Sequence, residues 1–63
     1  MDRFMTLREG ALAIGMKSPT QLARVIESDP TAPRIFQFSP RTWRIDRAEF
    51  ARWLESKARP KAA

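Results

Sequence analysis

Apolar residues mark three helical stripes along this chain, interrupted by one stretch in which large apolar and polar side chains alternate. Leu7, Ala11 and Ile14 recur at i, i+4 and i+7, one face of an α-helix. Thr6-Leu-Arg-Glu9 fits a capping box at its start, with the threonine hydroxyl accepting from the Glu9 amide and the Glu9 carboxylate accepting from the Thr6 amide. Gly15 suits the left-handed residue that ends such a helix, so the first helix is predicted over roughly 7–14. Ser18-Pro-Thr-Gln21 then supplies a serine cap, a proline at the first helical position and a glutamine at the third. Leu22, Val25 and Ile26 form the buried face of this second helix, while Thr20, Gln21 and Arg24 point elsewhere. Asp29-Pro30 stops it, because a residue before proline avoids the helical region. The short connection Gly15–Ser18 suggests a helix-turn-helix. Asp46-Arg-Ala-Glu49 is a third cap, followed by Phe50, Trp53 and Leu54, and predicts a helix over roughly 47–57.

Between the second and third helices, Phe36-Gln-Phe-Ser-Pro-Arg-Thr-Trp-Arg-Ile45 alternates as strands do. Ser39-Pro40-Arg41-Thr42 has serine and proline where a type I turn favours them. Closing an antiparallel pair on that turn places Phe38 opposite Trp43 and Phe36 opposite Ile45 on one apolar face, with Gln37 opposite Arg44 on the other. A two-stranded hairpin is marginal alone, so this face is expected to rest on the helices. Packing gives no reason for Arg41 at the tip. The expected fold is mainly α with a small β-hairpin: one domain over 1–57 and a flexible basic tail over 58–63.

A chain of 63 residues buries only about 60% of the surface its unfolded form exposes, which leaves room for a single core. With no Cys and no His, neither disulfides nor the usual soft metal sites are available, and no cofactor is implied. There is also no Gly-rich phosphate loop, and the carboxylates are scattered over caps, so no catalytic constellation is expected. No apolar run reaches the roughly 18 residues of a membrane span, and a cytoplasmic, non-membrane protein is expected.

The formal net charge is +5, which suggests an anionic partner. Acids and bases balance over residues 1–29, whereas the stretch 30–45 holds Arg34, Arg41 and Arg44 and no acid. Positive charge is thus concentrated on the hairpin.

The order helix, turn, helix, hairpin, helix, together with TLREGALAIGM at 6–16, SPTQLARVI at 18–26 and RTWRIDRAEFARWL at 41–54, resembles the small winged helix-turn-helix proteins of the excisionase and AlpA type, related to the DNA-binding domain of MerR regulators. Lys17 makes the turn one residue longer than is usual there, and Gly10 stands where a better helix former is usual, at about 1 kcal/mol. The resemblance implies a sequence-specific double-stranded DNA-binding protein whose second helix enters the major groove and whose hairpin, the wing, lies on the adjacent minor groove or backbone. Carried over by position, Lys17, Ser18, Thr20, Gln21, Ala23 and Arg24 form the recognition helix and Arg41 and Thr42 the wing tip; Arg34 and Arg44, in the same acid-free stretch, are added to the wing as DNA contacts by their charge. Excisionases, or recombination directionality factors, bend DNA, associate with one another on it, contact a tyrosine integrase and favour excisive recombination in mobile elements; AlpA-like members act as transcription regulators. A chain with no effector or dimerisation domain favours the excisionase role.

Each expectation has a plainer rival. Arg24 suits a bidentate contact to guanine and Gln21 one to adenine, yet Gln21 can simply complete its cap and Arg24 can be a solvated surface group. Arg34 and Arg44 suit phosphates better than bases, and Arg47, Arg52, Arg59 and Lys61 read as a solvated face, with Glu55 available to Arg59 at i+4. Phe36, Phe38, Trp43, Phe50 and Trp53 can be imagined as stacking platforms for single strands, but their spacing assigns them to the core. A protein-interaction adaptor that offers its basic face to an acidic partner is the alternative from another class.

Overall fold

Each helix starts on the side-chain cap that its sequence supplies. Thr6 Oγ1 accepts from the Glu9 amide at 2.9 Å while Glu9 Oε1 accepts from the Thr6 amide at 3.0 Å, a complete capping box. Ser18 Oγ accepts from the Gln21 amide at 3.2 Å, and Asp46 Oδ1 from the Glu49 amide at 3.0 Å. In the computed structural model, which describes residues 2–58, these caps open α1 (Leu7–Ala13), α2 (Pro19–Ser28) and α3 (Arg47–Lys57). Residues 59–63, with Arg59, Lys61 and nearly all of the expected basic tail, lie outside the described residues. Among the described residues no helix is long and apolar enough to cross a membrane.

Helix α1 ends in a Schellman motif. Gly15 has φ +77°, its amide donates to the Leu12 carbonyl at 3.3 Å, and the Met16 amide donates to Ala11 at 2.8 Å. A side chain at residue 15 would be strained in that conformation, so glycine there fixes where the chain leaves α1 for α2.

The strands are β1 (Phe4–Thr6), β2 (Ile35–Ser39) and β3 (Thr42–Asp46), joined as an antiparallel sheet in the order β1-β3-β2. The expected two-stranded hairpin therefore has a third strand. Phe4-Met5-Thr6 is too short to display an alternating pattern, and its pairing of Met5 with Ile45 becomes visible only in the fold.

The hairpin register also differs from the expected one. Ser39 pairs with Thr42 as the turn requires, but a bulge at Phe38 shifts the rest, so that Gln37 faces Trp43, Phe36 faces Arg44 and Ile35 faces Ile45. One extra residue moves every side chain beyond it to the opposite face. Ile35, Trp43, Ile45 and Met5 thus turn toward the helices, and Phe36 and Phe38 do not. Their assignment to the core is corrected accordingly: Phe38 is 59% exposed, and both rings cluster with Phe4 on the sheet's outer face.

The core consists of Met5, Leu7, Ala11, Leu22, Ile26, Ile45, Phe50 and Trp53. Leu22 and Ile45 are fully enclosed, and burying side chains of this size contributes about 1.5–3 kcal/mol each. Gly10 belongs to this packing. A Cβ there would stand 2.9 Å from Leu22 Cδ2 and 3.2 Å from Ile45 Cδ1, so the helix-weakening glycine is what lets α1 lie close to α2 and the sheet.

Asp29 joins the end of α2 to α3. Its carboxylate accepts from Lys57 Nζ at 2.7 Å, from the Thr31 hydroxyl at 2.7 Å and amide at 2.9 Å, and from Trp53 Nε1 at 3.0 Å. These bonds to the charged form, Lys57 first, hold its carboxyl far below the usual range.

Candidate nucleic-acid interface

The exposed side of α2 borders a groove of about 390 Å³ whose far wall is Trp43 of β3, with Thr20, Ala23, Arg24 and Glu27 among the α2 residues that line it. Trp43 is half-buried against the core from behind. Its indole Nε1 donates to the Pro40 carbonyl at 3.2 Å, which ties the ring to the turn carrying Arg41. Ser39 Oγ donates to Thr42 Oγ1 at 2.8 Å across the same turn. Helix α2 and the hairpin tip therefore adjoin a common concavity through one aromatic ring.

Of the residues expected on the second helix, Thr20, Ala23 and Arg24 reach this groove. Ser18 spends its hydroxyl on the cap. Gln21 Oε1 accepts from the Lys17 amide at 3.3 Å, one residue before the cap, rather than from the Ser18 amide that a capping box uses, so its carbonyl is held at the helix start by the longer turn. Lys17 itself lies beside Arg8, Leu12 and Met16, around the corner from Trp43.

The four hairpin residues are divided. Arg41 and Thr42 occupy the turn and its exit. Arg44 alternates to the outer face of the sheet, where it neighbours Arg3, Thr6, Glu9 and Arg47 and donates to the Trp43 carbonyl at 2.9 Å. Arg34 donates to Glu49 through its side chain at 2.8 Å and its amide at 3.1 Å, and its guanidinium lies 5.2 Å from the Phe36 ring. It thus pins the start of β2 to α3, and neither Arg34 nor Arg44 lines the groove.

Ion pairing sorts the cations. Arg3 pairs with Asp46 at 2.9 Å, Arg34 with Glu49 at 2.8 Å, Arg47 with Glu9 at 3.8 Å and Lys57 with Asp29 at 2.7 Å. The partner bonds hold Glu9, Asp46 and Glu49 below their ordinary pKa, chiefly through the Thr6 amide, the Glu49 amide and the Arg34 guanidinium respectively. Among the described residues no carboxylate lies within 4.0 Å of Arg8, Lys17, Arg24, Arg41, Arg44 or Arg52, and of these Arg24 lines the groove and Arg41 tops the turn tied to it. No contacting carboxylate neutralises their charge.

Sequence reasoning missed Trp43 as a groove wall, because an aromatic on a predicted buried face reads as core, and it missed Glu27, one turn beyond Arg24. Among the described residues no group of three His, Cys, Asp or Glu is placed to hold a metal ion. Among the described residues the class defined is a small fold of three helices and an antiparallel three-stranded sheet, with a cation-bearing groove between α2 and the hairpin. Comparison with protein-family models, curated proteins and solved structures returned no match.

Proposed function

We propose that this chain is a winged helix-turn-helix protein that binds double-stranded DNA in a sequence-specific manner, of the excisionase type: α2 enters the major groove, and the β2–β3 wing grips the neighbouring minor groove or backbone. The observation that carries this reading is the groove shared by Arg24 of α2 and Trp43, whose indole is bonded to the turn holding Arg41. One duplex can then meet both cations. Arg24 offers a guanidinium fork matched to guanine O6 and N7, and Thr20 a hydroxyl for a base edge or flanking phosphate. The unpaired charges of Lys17, Arg24 and Arg41 displace counterions from the phosphates. In this reading the protein acts by architecture: it bends DNA, associates with further copies along it, and assists a tyrosine integrase in excision.

A titration on duplexes from the protein's own genomic neighbourhood tests this. Engagement of about six phosphates lowers affinity on the order of a thousandfold between about 50 and 200 mM salt. Arg24→Ala is expected to cost about 1–3 kcal/mol and to relax base preference at one position, whereas Arg41→Ala weakens binding evenly across sequences and shallows the salt slope by about one. Absence of binding to any such duplex overturns the proposal, and identical losses from the two variants overturn the division of roles.

A further inference from the structure

The bulge at Phe38 leaves a face that the duplex reading does not use. On the side of the sheet away from the core, Phe4, Phe36 and Phe38 form an aromatic cluster: Phe4 meets Phe36 edge-on at 5.1 Å and Phe38 at 5.5 Å, and the planes of Phe36 and Phe38 differ by only 14° at 6.2 Å. Phe38 is 59% exposed. Cations surround the cluster. Arg3 lies 4.9 Å from the Phe4 ring and Arg34 lies 5.2 Å from Phe36, while Arg44, directly opposite Phe36 on β3, projects from the same face.

Arg3 and Arg34 each hold one carboxylate, yet their side chains remain 64% and 69% exposed. A guanidinium has five donors, and those not facing the carboxylate stay open to a second acceptor.

We propose that this outer sheet face binds single-stranded nucleic acid, with a base stacked on Phe38, which Phe4 and Phe36 support, and phosphates held by Arg3, Arg34 and Arg44. Phe38 supplies exposed aromatic surface and the arginines supply cations, the two elements that sequence-tolerant single-strand binding requires, while the guanidinia over the Phe4 and Phe36 rings leave Phe38 as the stacking platform. A duplex cannot use them, since its bases are already stacked and paired. A second copy docked face to face sets the arginines of one molecule against those of the other, a like-charge contact. The chemistry thus favours a flexible polyanion with free aromatic bases. The proposal stands apart from the duplex reading, because Arg24 and Trp43 lie across the sheet from these rings.

The test is fluorescence anisotropy with a labelled oligo-dT of about 12 nucleotides at about 50 mM salt, run beside a labelled duplex on the full chain. Phe38→Ala is expected to weaken oligo-dT binding about tenfold or more and to leave duplex affinity within about twofold. Phe38→Trp retains binding; Phe38→Leu, which preserves apolar packing against Phe4 and Phe36 without a π-face, loses it, and carries the test if the alanine variant does not fold. Arg24→Ala affects the duplex and spares oligo-dT. The proposal is overturned by failure of the wild type to bind oligo-dT, by unchanged affinity in Phe38→Ala, or by full binding in Phe38→Leu. It is equally overturned if size-exclusion chromatography shows a dimer that Phe38→Ala dissociates without altering oligo-dT affinity.

Discussion

Gly10 shows how a residue that looks wrong locally is right in context. In an isolated helix it costs about 1 kcal/mol relative to alanine, but the space its side chain would need is filled by Leu22 Cδ2 at 2.9 Å. Leu22 is fully enclosed and cannot swing aside freely. Overpacking of this kind costs about 1–3 kcal/mol, so Gly10→Ala is expected to lower stability by about 1 kcal/mol net despite the gain in helix propensity, as urea denaturation would show. A rise in stability would mean that α1 and α2 are less tightly meshed than their geometry indicates. The sequence made the glycine conspicuous; only the fold supplies the neighbour that explains it. Gln21 is a similar case, since its capping role was legible but its partner, the Lys17 amide, depends on the length of the turn.

At the scale of elements, the helices were legible because each boundary rests on a short-range signal: a cap three residues from its acceptor, a proline, a glycine. The sheet was not. The turn at Ser39–Thr42 sets only the first pair, and the bulge at Phe38 has no local signature, so the pairing read from the turn was displaced by one along the rest of β2. β1 was missed because three residues carry no period, although Met5 and Leu7 on either side of Thr6 both enter the core. Its contribution is testable by itself. Met5→Ala leaves the helices and the hairpin intact in sequence but removes the side chain with which β1 packs into the core, and it is expected to cost about 2 kcal/mol or more. A smaller loss in thermal or urea melts would make β1 an ornament of the sheet. The candidate groove shares this division: on the α2 side Thr20 and Arg24 followed from helical phase and Ala23 from the family resemblance, whereas Trp43 as its opposite wall depended on the register.

Across the whole molecule, four of the seven acids act as fasteners and the uncommitted bases as a surface. Asp29 bonds α2 to α3, Asp46 caps α3 and holds Arg3, Glu49 holds Arg34, and Glu9 closes the cap of α1. All four carboxyls sit below their ordinary pKa because hydrogen-bond donors and cations favour the charged form. A depressed folded-state pKa gives stability that is present in full above the unfolded value, about 4, and is lost as pH falls toward the folded value. Melting temperature is therefore expected to stay level from neutral pH down to about 5 and to drop steeply below about 4, with the drop smaller in Asp29→Asn, whose melting temperature is already reduced at neutral pH. Circular dichroism melts across that range would reveal it, and a level profile to pH 2 would contradict the fastener role. The other tryptophan, Trp53, is sealed in the core and hydrogen-bonded to Asp29, whereas Trp43 stands half in solvent at the mouth of the α2 groove. The chain therefore contains a natural chromophore pair, one member shielded and one at the doorway, and the emission of the second is sensitive to whatever comes to rest there without any label having to be attached.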